Sequence, residues 1–144
     1  MAKRRSIMKK NRRGEWVLDK SAKTLARDFA DRLWSRAVIA DYYSKCAVCL
    51  RRDTLNAHHL INRHHLGTRY RLENGCCLCA YCHTMDPAIS PHLNDAGWRE
   101  WLTEHYPITA EWYDMAWSSG LHVFDGTADI WWYCEQIKGL RQYF

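Results

Sequence analysis

From Ser21 onward, Leu25, Phe29, Leu33, Trp34, Val38 and Ile39 recur about one helical turn apart, while Asp28, Arg32, Arg36 and Asp41 fall largely elsewhere. This pattern predicts an amphipathic helix that ends at Tyr42 and Tyr43 and covers the segment after it. Residues 55–60 are too short a run for a helix and predict a strand carrying His58 and His59. Neighbouring side chains on a strand point to opposite faces, so a bend is expected where two adjacent histidines take different roles. A loop over 61–73 follows, punctuated by Gly67 and Gly75, and Cys76 and Cys77 are placed on a return strand. A helix is expected to start near Cys82 and present His83.

Beyond His92 the pattern turns helical again. Asn94 or Asp95 caps a helix with Trp98, Trp101 and Leu102 on one face, which Pro107 ends. Thr109 is expected to cap a short helix with Trp112 and Trp117 inward. After the break at SSGLHVFDG, Thr127 is expected to cap a last helix whose apolar stripe is Ile130, Trp131, Cys134, Ile137 and Leu140. The whole reads as an α+β chain, mostly helical.

Composition narrows the picture. With 144 residues, 47% of them hydrophobic, the chain is long and apolar enough for one domain with a real core, which excludes a disordered protein. No apolar run approaches membrane-spanning length, and the basic start lacks the apolar stretch of a secretory signal. Seven cysteines, four of them at metal-ligand spacing, suit a reducing cytoplasm better than a disulfide scaffold.

The net charge of +5 is unevenly spread. Residues 1–13 hold Lys3, Arg4, Arg5, Lys9, Lys10, Arg12 and Arg13 and no acid. Residues 1–20 are therefore expected to form a basic arm, unstructured when unbound, that contacts a phosphate backbone; 21–144 form the single domain. Residues 93–144 carry three basic and eight acidic residues and are expected to face away from DNA. Monomer and homodimer both remain open.

The densest chemistry lies between Cys46 and His92. Cys46/Cys49 and Cys79/Cys82 are two Cys-x-x-Cys pairs separated by 29 residues. Each turn sets two thiolates on one side of an ion, and two turns close a tetrahedral zinc shell, so structural Zn²⁺ is expected. Cys76 and Cys77 are read as structural, although either is a rival ligand to Cys79, and Cys134 is read as core. The loop between the pairs is rich in base, and Arg63, Arg69 and Arg71 are candidate phosphate contacts.

His58-His59, then Asn74 five residues before Cys79, then Cys-x-x-Cys-His ending at His83 resembles the HNH endonucleases. LNAHHLINRHHLGTRYRLENGCCLCAYCH and SPHLNDAGWREWL are similar to the phage-type branch of that family. The resemblance implies a ββα-metal finger over 46–92, stapled by the four-cysteine zinc site and flanked by the leading helix and the Trp-rich helices of 93–144. It implies metal-dependent hydrolysis of DNA inside a phage-infected cell. His59 would be the general base, Asn74 would fix the loop orienting it, and His58, His83 and His92 would hold one catalytic divalent metal. Family members often carry the third ligand about one turn after the Cys-x-x-Cys-His histidine, where this chain has Pro87. Asp86 beside it is the alternative to His92. Three imidazoles favour Mn²⁺, Co²⁺ or Ni²⁺, with Mg²⁺ the alternative if a carboxylate enters. A non-catalytic zinc-stapled DNA-binding module would need the four cysteines and the basic arm, but not His59 with Asn74 and three further ligands.

Overall fold

The structure is a computed structural model and describes residues 8–18 and 20–144. Lys3, Arg4 and Arg5 of the expected arm lie outside the described residues. Residues 8–18 of that arm form a small hairpin. Strands β1 (Met8–Lys10) and β2 (Trp16–Leu18) pair antiparallel, with Lys9 opposite Val17. The reason is local. Asn11 Oδ1 accepts from the backbone N–H groups of Arg13 and Glu15 at 2.9 and 3.1 Å, and Gly14 supplies the left-handed φ of 80° that closes the turn.

Helix α1 (Ala22–Asp41) starts where its pattern predicts, with Ser21 Oγ accepting from Thr24 N. Its buried face, Ala30, Leu33, Trp34, Ala37 and Val38, packs on the last helix and on the central hairpin. That hairpin is β3 (Leu55–His59) paired antiparallel with β4 (Gly75–Cys79), in a register that sets His58 opposite Cys76 and His59 opposite Gly75. β4 is buried along its whole length. Gly75 is required there, because a Cβ would run into the Val38 side chain of α1.

Helix α2 (Ala80–Thr84) follows β4 directly, two residues ahead of its expected start. Cys79 is its N-cap, so the end of the strand and the start of the helix share one sulfur. Helix α3 (Asp95–His105) is capped by Asn94 and buries Trp98 and Leu102.

The two last helices differ in detail from expectation. α4 (Pro107–Ser118) begins at Pro107, whose fixed φ suits a first helical residue, so Thr109 lies inside it. Trp112 is half-buried and Trp117 is exposed. α5 (Ile130–Arg141) is capped by Asp129 rather than Thr127. Tyr133 and Leu140 are its buried residues, and Trp131 is 75% exposed.

Two apolar clusters flank the hairpin. Cys46, Cys79 and Cys82 pack with Leu78, Trp98 and Leu102 on one side. Leu33, Trp34 and Val38 pack with Tyr70, Tyr133 and Leu140 on the other. The hairpin therefore sits between α3 and α1. Among the described residues no helix is long and apolar enough to cross a membrane.

Candidate metal centres and the cleft between them

The first cluster joins the turn after α1 to the start of α2. Cys46 and Cys49 sit on the turn after α1, Cys79 caps α2 and Cys82 lies in it. Their four sulfurs lie within 4.8 Å of one another, spaced to hold a structural metal such as zinc. The turn is docked on the hairpin by Ala47 N–H donating to Cys77 O at 2.8 Å. It is also strained: Leu50 and Thr54 hold φ of 62° and 55°, a conformation costing on the order of 1 kcal/mol for a non-glycine residue. Burial pushes the Cys49 and Cys82 thiols up. At Cys46 burial acts the same way but is outweighed by backbone donors from Cys49, Cys79 and Val48, which pull it down. A bound dication favours the thiolate at all four. Cys76 and Cys77 stand outside the cluster, with burial raising their thiols to about 12 and 11, so they remain protonated.

The second cluster joins three elements: His58 from β3, His83 from the last turn of α2, and His92 from the loop before α3. His58 Nδ1 lies 3.2 Å from His83 Nε2, and His92 Nε2 lies 3.0 Å from that same atom. The loop that delivers His92 is stitched by buried Ser90, whose hydroxyl donates to His83 O at 2.8 Å and accepts from His92 N. Burial, and then the neighbouring imidazoles, hold His58 down at about 3; burial and His92 lower His83 as well. Both are neutral at pH 7, the form in which imidazole binds a metal. Asp86 is not part of this cluster. Its carboxylate accepts from Ala88 N at 2.9 Å and shapes the turn instead.

His59 is the last residue of β3. The expected bend is not needed: strand alternation turns its ring away from His58 and onto α1, where it stacks on Trp34 at 3.7 Å. Its Nε2 lies 3.0 Å from the Arg69 carbonyl. A carbonyl only accepts, so Nε2 carries the proton and Nδ1 keeps its lone pair. Burial lowers His59 to about 4, against the Arg69 carbonyl, which raises it. Asn74 is fully buried and ties the loop shut. Its Oδ1 accepts from Ile61 N at 2.7 Å, and its Nδ2 donates to Ile61 O and Thr68 O at 2.9 and 3.2 Å.

Despite their different faces, His59 and the three-histidine cluster line one cleft of about 560 Å³. Asn62, Arg63 and His64 form one side; Asp95, Trp98, Arg99, Tyr113 and Asp114 form the other. The second wall comes from α3 and α4, in the segment expected to face away. Arg99 lies 4.4 Å over the Tyr113 ring and 3.0 Å from Asp114. Its signal in the sequence was the helical spacing of Asp95, Trp98 and Arg99 after His92, which places them on the same side.

The expected phosphate contacts separate. Arg63 is exposed in the cleft. Lys9, Lys10, Arg12 and Arg13 are exposed on the β1–β2 hairpin. Arg71 is exposed but lines a second groove beside α5. Arg69 is a correction: it is buried, with its guanidinium on both Asp31 oxygens at 2.8 to 3.1 Å and on Arg63 O at 3.0 Å. Buried and held on Asp31 and Arg63, that guanidinium faces the loop and α1.

Arg69→Ala is therefore expected to lower stability by about 2 kcal/mol, since it strands a partly buried carboxylate. Arg63→Ala should leave thermal melting unchanged. If Arg69→Ala melted like the parent, the ion pair would be ornamental.

Comparison with family models, with curated proteins and with solved structures finds no match to this chain.

Proposed function

We propose that this protein is a metal-dependent DNA endonuclease of the HNH type, hydrolysing phosphodiester bonds in the cleft. One observation carries the reading: a neutral His59, with its Nε2–H tied to a carbonyl, lines the same cleft as three clustered imidazoles. The order β3–β4–α2, with Asn74 tying the loop, supports it as the finger that the motif resemblance implies.

His58, His83 and His92 would hold the ion, and the neutral state of His58 and His83 fits those two for it. A divalent ion there supplies Lewis acidity to the phosphate and to the departing 3′ oxygen. His59 takes the proton of the attacking water on Nδ1, so the base and the ligands approach one phosphorus from separate faces of β3. An anionic phosphate entering the cleft raises His59 from about 4 toward the working pH. Asn74 keeps the loop that positions the ring. Arg63 and Arg99 offer charge on opposite walls to flanking phosphates.

A non-catalytic zinc-stapled module would use the four thiols and the basic hairpin. It leaves the second cluster and the tied tautomer of His59 without a purpose.

An all-imidazole shell should work best with Mn²⁺, Co²⁺ or Ni²⁺ and less well with Mg²⁺. His92→Ala is expected to abolish metal-dependent nicking of plasmid DNA, whereas Asp86→Ala keeps it. The reverse outcome would move the third ligand to Asp86 and make Mg²⁺ the better ion.

A further inference from the structure

Asp31 and Trp34 lie three residues apart in α1 and so share a face. Both reach the loop limb beside His59. Asp31 holds the Arg69 guanidinium and accepts the Tyr70 hydroxyl at 2.8 Å. Trp34 Nε1–H donates to Arg71 O at 2.9 Å, and its ring lies nearly parallel to His59, at 12°. Residues 69, 70 and 71 are thus each gripped by α1, and the Arg69 carbonyl that receives His59 Nε2–H sits in that grip. Asn74 bonds Ile61 and Thr68, the other parts of the loop. The two anchors divide the work, and the one from α1 touches the imidazole directly.

We propose that Asp31 and Trp34 are positioning residues for His59: α1 fixes the carbonyl that sets its tautomer and the ring that sets its plane. The proposal rests on the reading of His59 as general base. A base whose ring turns, or whose proton moves to the other nitrogen, no longer offers a lone pair at the reacting water, and small displacements of this kind cost large factors in rate. The leading helix is then part of the active site's construction as well as a cover for the finger.

The test uses the full chain loaded with zinc. The double variant D31A/R69M removes both charges, so neither is left stranded, while the backbone carbonyl of residue 69 stays. W34F keeps a stacking ring and removes the N–H donor. Asp31→Glu is the conservative control. His59 is followed by ¹⁵N resonances of its imidazole, assigned by comparison with His59→Gln, beside the kcat and KM of plasmid nicking. The parent should show one Nε2–H tautomer. D31A/R69M should mix tautomers and lose kcat on the order of a hundredfold at unchanged KM. W34F should lose about tenfold, and Asp31→Glu should restore most of the rate. A folded D31A/R69M that keeps the single Nε2–H tautomer and the parental kcat overturns the proposal. If the parent itself fails to cut DNA, the nuclease reading falls on its own, and the tautomer comparison still decides whether α1 orders His59.

Discussion

His59→Ala is expected to keep the fold and the DNA affinity and to lose strand cleavage by about a hundredfold or more. The ring lies at the end of β3, where pairing stops at Gly75, so its removal breaks no ladder hydrogen bond. It does vacate the face of Trp34, which costs packing but leaves the buried Asn74 ties intact. No liganding nitrogen of the three-histidine cluster is lost. What disappears is the only proton acceptor assigned to the attacking water. The check is a single-turnover nicking rate beside a thermal melt and a DNA-binding isotherm. Parental activity in a folded His59→Ala protein would remove His59 from the mechanism.

Cys46→Ser should have the other large effect, and on folding rather than rate. Cys46 is fully buried, and the segment around it, residues 43–54, holds four non-glycine residues at positive φ. A structural zinc site contributes on the order of 10 kcal/mol or more of binding free energy that is also folding free energy. Losing one thiolate should abolish tight metal binding at the four-sulfur site and the cooperative melt with it. Cys76→Ser is the contrast, because that thiol lies outside the cluster. If metal content and melting of Cys46→Ser matched the parent, the four sulfurs would be packing groups only.

How much of this was legible in the chain depends on the range of the interaction. The four cysteines could be read because each Cys-x-x-Cys pair is a local turn; His58, His83 and His92 stand 25 and 9 positions apart and were reached only through the motif resemblance. α1 could be read because twenty residues carry a clear period and a Ser cap. Arg69 could not: its partner Asp31 lies 38 residues away, and nothing local separates a buried guanidinium from an exposed one. The wall made by α3 and α4 escaped for a related reason. Net acidity describes a segment, whereas the cleft wall is set by which positions of α3 and α4 face His92: Asp95, Trp98, Arg99, Tyr113 and Asp114. In α5 the run Ile130–Cys134 is five apolar residues in a row, which carries no period, so the buried face fell on Tyr133 and Leu140 while Trp131 stayed in solvent. The β1–β2 hairpin was hidden in a basic run whose one structural cue, Asn11 with Gly14, is a turn motif inside a charge pattern.

The proposed nuclease hydrolyses DNA in the cleft with an ion held by three histidines. The most direct test is to incubate the zinc-loaded protein with supercoiled plasmid and Mn²⁺, and to follow the conversion to open-circular or linear DNA. The expected result is conversion that EDTA abolishes, that Mn²⁺ supports better than Mg²⁺, and that His92→Ala lacks. A folded, zinc-loaded protein that leaves the plasmid supercoiled with Mn²⁺, Co²⁺, Ni²⁺ and Mg²⁺ alike would contradict it.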